Sequence, residues 1–225
     1  MTVHKHMLAA GTSHATPYYI VPGSQNGPVL MIVAGIHGNE TASIQAAHRL
    51  VKQLRKGQLR IAKGKLIIVP IANPRAYRKR IRGVPDLNRT FPKGPERSAT
   101  HPLSKAIFQL MQTYKPSWYL DLHEANGLSK YDAKVLGQTL VTDASNPAVP
   151  AARRAIKRLN RSLVSPSHQF HLRLHPLQGS SRTAAARLIH ARTVTVETCW
   201  SLPFHVRQSY QMQTIKHFLR EAGLV

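Results

Sequence analysis

The chain has 225 residues, 42% of them hydrophobic, and sets 32 Lys and Arg against nine Asp and Glu, for a formal net charge of +23. That is enough apolar material for one sizeable core, and the charge disfavours cationic partners while favouring polyanions such as nucleic acid or an anionic cell-wall polymer. The longest apolar runs, KLIIVPIA and PVLMIVAG, are too short for a transmembrane helix, and the single Cys199 excludes an internal disulfide.

The amino terminus, MTVHKHMLAAGTSHATP, has no sustained apolar stretch after its basic residues and does not read as a secretory signal. A cytoplasmic location is expected for a complete chain, and an exported or cell-wall-associated one if a signal has been removed. VLMIVAG (29–35) is short, continuous and rich in Val, Ile and Leu, the pattern of a strand buried on both faces. After HGNE the period changes: Ile44, Ala47, Val51 and Leu54 recur at helical spacing, with Gly57 as a stop. KLIIVPIA (65–72) is the next strand, HPLSKAIFQLMQTYK (101–115) an amphipathic helix, and SWYLDLH (117–123) a third strand. KVLGQTLV (134–141), QFHLRLH (169–175) and RTVTVET (192–198) read as strands. VPAARRAIKRLNRSL (149–163) and FHVRQSYQMQTIKHFLREAG (204–223) read as helices. The alternation, with no repeat and no Pro/Gly/Ser-rich linker, predicts an α/β fold: a three-layer α/β/α sandwich on a mixed, mostly parallel sheet.

Ligands of such sheets gather at the carboxyl ends of strands. The scarce carboxylates fall there: HGNE follows the first strong strand, DLHEA closes the strand from Trp118, and Glu197 closes the strand from Thr193. Zinc prefers nitrogen and oxygen donors, and a catalytic site offers three protein ligands while keeping a fourth position for water. His37 and Glu40, at i and i+3 on a helical turn, would point the same way, and His123 from a separate strand end would complete a two-histidine, one-carboxylate set. Glu197 is placed in sequence to serve as the base. Each piece alone has an ordinary reading: a chance His–Glu pair, a structural histidine, a buried carboxylate paired with arginine. Ten of the other eleven histidines, all but His14, take the structural reading, and the basic run ARRAIKRLNR that of a solvated helix face.

Taken together, GIHGNE, NPRAYRKRIRGVPDLNR, DLHEA and VTVETC resemble, in order and spacing, the zinc carboxypeptidase superfamily, especially its succinylglutamate desuccinylase/aspartoacylase branch. The resemblance runs from about Pro28 to Cys199. It implies one zinc ion on His37, Glu40 and His123, with Glu197 as general acid/base. It implies that Asp86 orients the first zinc histidine, that Asn88 and Arg89 clamp a substrate carboxylate, and that Arg82 polarises the scissile carbonyl. Arg187, ten residues before Glu197, matches a further substrate-binding arginine of the aspartoacylases.

There are departures. One residue fewer separates NPRAYRKRIRG from DLNR than in the aspartoacylase pattern, so Arg80 competes with Arg82. Only 28 residues follow Glu197, so a single catalytic domain over 1–225 is expected, without the carboxy-terminal β domain of aspartoacylases. Tyr131 is a candidate for the substrate-site tyrosine of digestive carboxypeptidases. DLHEANGLSKYD resembles the corresponding region of bacterial relatives that trim peptidoglycan peptides, where Glu124 could line the pocket or stand exposed at a strand end. The expected activity is zinc-dependent hydrolysis of an amide bond near a free carboxylate, as a carboxypeptidase or amidase on cell-wall-type anionic peptides. An N-acyl amino acid deacylase shares the same catalytic set. A basic polyanion-binding protein without catalysis is the reading from another class. Nucleic acid would then be held only non-specifically, because zinc-finger spacing is missing and aromatic residues are just 6% of the chain.

Overall fold

A computed structural model describes residues 2–225. Eight strands form one sheet: β1 (His4–Leu8), β2 (Thr16–Pro22), β3 (Gln25–Ala34), β4 (Lys63–Val69), β5 (Trp118–Ala125), β6 (Thr139–Thr142), β7 (His171–Leu174) and β8 (Arg192–Cys199). Their spatial order is β1-β2-β4-β3-β5-β8-β6-β7. The pairs β3/β4, β3/β5, β5/β8 and β6/β7 are parallel, and β1/β2, β2/β4 and β6/β8 antiparallel, so the sheet is mixed and mostly parallel as expected. The helices are α1 (Thr41–Arg55), α2 (Pro74–Lys79), α3 (Pro102–Tyr114), α4 (Val149–Arg161), α5 (Ser181–Leu188) and α6 (Phe204–Glu221). Among the described residues no helix is long and apolar enough to cross a membrane.

The period-2 geometry of the strands explains their unbroken apolar runs. Leu30, Ile32 and Ala34 of β3 and Leu66 and Ile68 of β4 pack in the core shared with α1, α4 and α6, while Met31, Val33, Ile67 and Val69 pack with α3 and α5 on the other face. In β5 the same alternation sends Leu120 and Leu122 to the first core and leaves Tyr119, Asp121 and His123 on the opposite face. A one-residue slip of β5 would exchange them and bury Asp121 and His123 among aliphatic side chains, at a cost of several kcal/mol. Core packing thus fixes which strand residues reach the site.

Three features were not read from the sequence. β1 and β2 are an antiparallel extension of the sheet, β1 exposed along most of its length but β2 burying Tyr19, Ile20 and Val21. KVLGQTLV shortens to Thr139–Thr142, because Lys134 donates to Asp132 Oδ1 in a turn and Gln138 takes the left-handed conformation, φ 62°. The basic segment NPRAYRKRIRG contains the short helix α2, nucleated by Pro74 at its first position and by Asn73, whose side chain accepts from the Ala76 amide.

Candidate metal centre

The chain leaves β3 through two glycines that the packing requires. Gly35 has φ +68°, and a Cβ there would lie 3.0 Å from Ile71 Cα. At Gly38 a Cβ would lie 2.0 Å from the carbonyl carbon of Ala76, so the backbone of α2 seats directly on this loop. HGNE forms a tight turn, closed by the Glu40 amide donating to His37 O at 3.3 Å, and not the helical turn expected from its spacing. The two side chains still converge, with His37 Nδ1 2.6 Å from Glu40 Oε1. Glu40 also occupies the N-cap position of α1 but makes no capping bond. That task falls to Glu124, whose Oε2 accepts from the Ala42 amide at 2.9 Å, while Arg207 of α6 donates to its Oε1 at 2.6 Å. Glu124 is therefore a buried, paired carboxylate at the crevice wall, not an exposed one.

His123 meets the same carboxylate from the other side, its Nδ1 2.8 Å from Glu40 Oε2. Each imidazole is backed at its far nitrogen. His37 Nε2 lies 3.0 Å from Asp86 Oδ1, and His123 Nε2 lies 3.1 Å from Asp121 Oδ2 and 3.0 Å from Asn88 Nδ2. Such backing fixes the ring orientation and presents Nδ1 to the centre. Asp86 also accepts from the Asn88 amide, which opens the short 3-10 turn Leu87–Arg89, and from Arg82 Nη2 at 2.9 Å. Asp121 accepts from Ser181 Oγ at 2.6 Å.

The electrostatics follow from this wiring. Burial works against charge on His37 and His123, but Asp86 and Glu40 around the first and Asp121 and Glu40 around the second outweigh it, so both pKa values are raised. Burial likewise opposes ionisation of Glu40, yet His123 and His37 hold it down at about 2. The cluster is built to concentrate positive charge between three donors. One atom each from His37, Glu40 and His123 lies within 4.8 Å of the others, and all three residues are buried. Two neutral-capable imidazole nitrogens and one carboxylate, with each imidazole backed by a second carboxylate, fit a divalent zinc ion and leave room for a further ligand.

Glu197 differs. Strand pairing sets it directly beside His123, yet its Oε2 is buried with no hydrogen-bond partner. Burial raises it to about 8, the neighbouring histidines pulling down and Glu40 pushing up. It lines a crevice of about 250 Å³ that also contains the three donors. Arg82, Asn88 and Arg89 stand at the same crevice, both arginine side chains about half exposed.

Two expected residues fall elsewhere, and a third candidate stands apart. Arg187 lines a separate crevice beside Asp143, Asn146 and His190, because it sits at the far end of α5 while Ser180 and Arg182 at the near end reach the site. Tyr131 is 71% exposed and does not line the crevice. Arg80 takes the left-handed conformation at the end of α2 and stacks on Tyr77, leaving Arg82 as the arginine that reaches the site. Sequence reasoning missed Asp121, whose position two residues before His123 on one strand face was the available signal. It also missed Arg182, His175 and Trp200, which line the crevice. Arg182 is buried and held by Asp143 Oδ1 and His175 O, each at 2.6 Å.

Fold and donor set together define a carboxypeptidase-like α/β protein with a two-histidine, one-carboxylate centre at its strand ends. Residues 26–221 match the succinylglutamate desuccinylase/aspartoacylase catalytic domain, and the chain belongs to that family. The family's named members are hydrolases of C–N bonds. The chain is 28% identical over 225 residues to succinylglutamate desuccinylase of Serratia proteamaculans, covering 98% of this chain and 64% of that enzyme. It is 42% identical over 87 residues to the enzyme of Pseudomonas paraeruginosa, covering 38% of this chain and 25% of the relative. It thus spans less than two thirds of either relative. Among solved structures it resembles the product-bound cell shape determinant protein Csd4 of Helicobacter pylori, with TM-score 0.79, 21% identity, and coverage of 92% of this chain and 55% of that one. An aspartoacylase family protein from Mesorhizobium loti gives TM-score 0.68 at 20% identity, covering 100% of this chain and 67% of the other.

Proposed function

We propose that residues 1–225 act as the catalytic domain of a zinc-dependent hydrolase that cleaves an amide bond near a free substrate carboxylate, in a peptide of the cell-wall type. The observation that carries this reading is the contrast inside one crevice: a three-donor cluster that attracts a cation, beside a buried carboxylate with an unsatisfied oxygen. His37 Nδ1, Glu40 and His123 Nδ1 would hold the metal. When bound, zinc supplies Lewis acidity to the scissile carbonyl and brings the pKa of water toward neutrality. Glu197 takes the proton from the attacking water at Oε2 and returns it to the departing nitrogen, a role suited to a carboxyl whose affinity for protons is raised by burial. Arg82 donates to the carbonyl oxygen as charge develops there. Asn88 and Arg89 hold the substrate carboxylate so that the scissile bond stays over the donors, the planar fork of arginine suiting two-point contact. Asp86 and Asp121 keep the imidazoles oriented throughout.

The choice of peptide is supported by the rim of the crevice. Arg82 and Arg89 are exposed there, and Arg78, Lys79 and Arg80 are exposed on the segment that leads to Arg82, which suits an anionic substrate longer than one amino acid. The Helicobacter pylori neighbour is described as a D,L-carboxypeptidase. The second reading, removal of an N-acyl group from an amino acid, is favoured by the desuccinylases among the sequence relatives. Incubation with muropeptides beside N-succinylglutamate and N-acetylaspartate separates the two. Chelator-sensitive release of an amino acid from the muropeptide is the expected result, and cleavage of the acylamino acids alone would reverse the order.

A further inference from the structure

The catalytic crevice leaves most of the positive charge unexplained, and that charge is unevenly spread. On α4, Arg153, Arg154, Lys157, Arg158 and Arg161 are all exposed. The helices α1 and α6, which share its layer, add exposed Arg49, Lys52, Arg55, Lys216 and Arg220. The one carboxylate in these three helices is Glu221, which Arg154 grips at 2.6 and 2.9 Å. The opposite layer carries fewer: α3 has Lys105 alone, and of the two arginines of α5, Arg182 is buried against Asp143 while Arg187 is exposed.

Two clefts open on the basic layer. One, of about 300 Å³ between α4 and α6, is bordered by Arg158, Lys216 and Arg220. The other, of about 850 Å³ at the end of α1, is bordered by His4, Arg55, Lys56 and Arg60. Neither has an Asp or Glu in its wall. The segments beside them meet, since Leu224 just beyond α6 accepts from the Ala62 amide at 2.7 Å and Ala62 borders the second cleft. The exposed cations of α1, α4 and α6 and of the two clefts thus form a cationic band on the layer these helices share.

We propose that this band binds the phosphodiester backbone of nucleic acid without reading its bases. The chemistry selects among polyanions as follows. Four of the five cations on α4 are arginines, whose forked donors suit phosphate oxygens. The apolar sides of α1, α4 and α6 are committed to the core, so these helices have no face to insert into lipid. The exposed aromatic of α6, Phe204, sits at its opposite end from Lys216 and Arg220, so the band offers no stacking platform for single-stranded bases. Each of these helices is packed along one side into the shared core and none projects free to enter a groove, so contact is with the backbone and not with base edges.

The test is fluorescence anisotropy with a labelled 20-base-pair DNA duplex of arbitrary sequence, titrated between 50 and 200 mM salt. Wild-type binding is expected to weaken steeply with salt. The triple variant R158Q/K216Q/R220Q is expected to bind at least tenfold more weakly at low salt, with a log–log salt slope shallower by about 2 to 3, since each lost phosphate contact removes about 0.9. The control K93Q/R97Q/K105Q, with the same charge loss on the other side, is expected to stay within twofold. Acetylation footprinting of the wild-type protein gives a readout independent of any folding defect, with DNA expected to protect Lys157 and Lys216 over Lys105. Equal binding by both triple variants, equal competition by polyglutamate, tighter binding to phosphatidylglycerol vesicles, or uniform lysine protection would each overturn the proposal.

Discussion

Glu40 and Glu197 are the same residue type in one crevice, within the field of the same two imidazoles, yet their carboxyls differ widely. Glu40 is held at about 2 and Glu197 is raised to about 8. Burial pushes both upward, so burial does not separate them. Hydrogen bonding does: Glu40 receives both Nδ1 atoms, whereas Glu197 Oε2 receives nothing. A carboxylate with two cationic donors is a ligand in waiting, and one without donors is a proton carrier.

The largest effect should come from breaking the ligand side. His37→Ala or His123→Ala is expected to reduce hydrolysis to background in a turnover assay, because two donors no longer hold a zinc ion at catalytic affinity. Next is the proton-carrier side. Glu197→Gln should retain zinc while kcat falls by about a thousandfold or more, a split read by pairing kinetics with metal analysis. A smaller loss is expected from the backing carboxylates: Asp86→Asn and Asp121→Asn should each weaken zinc binding by about 10- to 100-fold in competition with a chelating dye. The fourth effect concerns the metal-free protein. With Glu197 raised to about 8 from an ordinary value of 4.5, the folded state binds the extra proton between those values, so stability falls as pH rises from 4.5 towards 8. Glu197→Gln should flatten that slope in urea unfolding, by on the order of 1 kcal/mol. Glu40 contributes in the opposite sense, its stabilisation being complete above 4.5 and lost as pH falls through about 2. The smallest effect belongs to Arg187→Ala, which should change kcat/KM by less than about twofold because the residue lines another crevice.

The same contrast marks what could be read from the sequence. The strands β3 and β4 announce themselves through unbroken apolar runs and β5 and β8 through shorter β-rich ones, and the residues at their ends, His37, Glu40, His123 and Glu197, were legible because strand ends in parallel sheets gather ligands. Asp86, Asn88 and Arg89 became legible only as a motif, since nothing local ties them to His37 or His123. What stayed hidden depends on contacts between distant segments. Ser181 reaches Asp121 across 60 residues of chain, and Arg207 reaches Glu124 across 83. β1 is exposed along most of its length and β2 has no clean alternation, burying Tyr19, Ile20 and Val21 in succession, so neither shows the pattern that identifies a strand, and α2 was masked by its charge. Arg187 matched by spacing alone, and the direction of α5 carries it away from the crevice.

The central claim is that His37, Glu40 and His123 share one divalent ion. Elemental zinc analysis of the purified protein, reconstituted with zinc and then dialysed, tests it most directly. One zinc per chain is expected in the wild type and in Glu197→Gln, with none retained in Glu40→Gln. A wild type that retains no zinc, or a Glu40→Gln variant that keeps a full equivalent, would contradict the account.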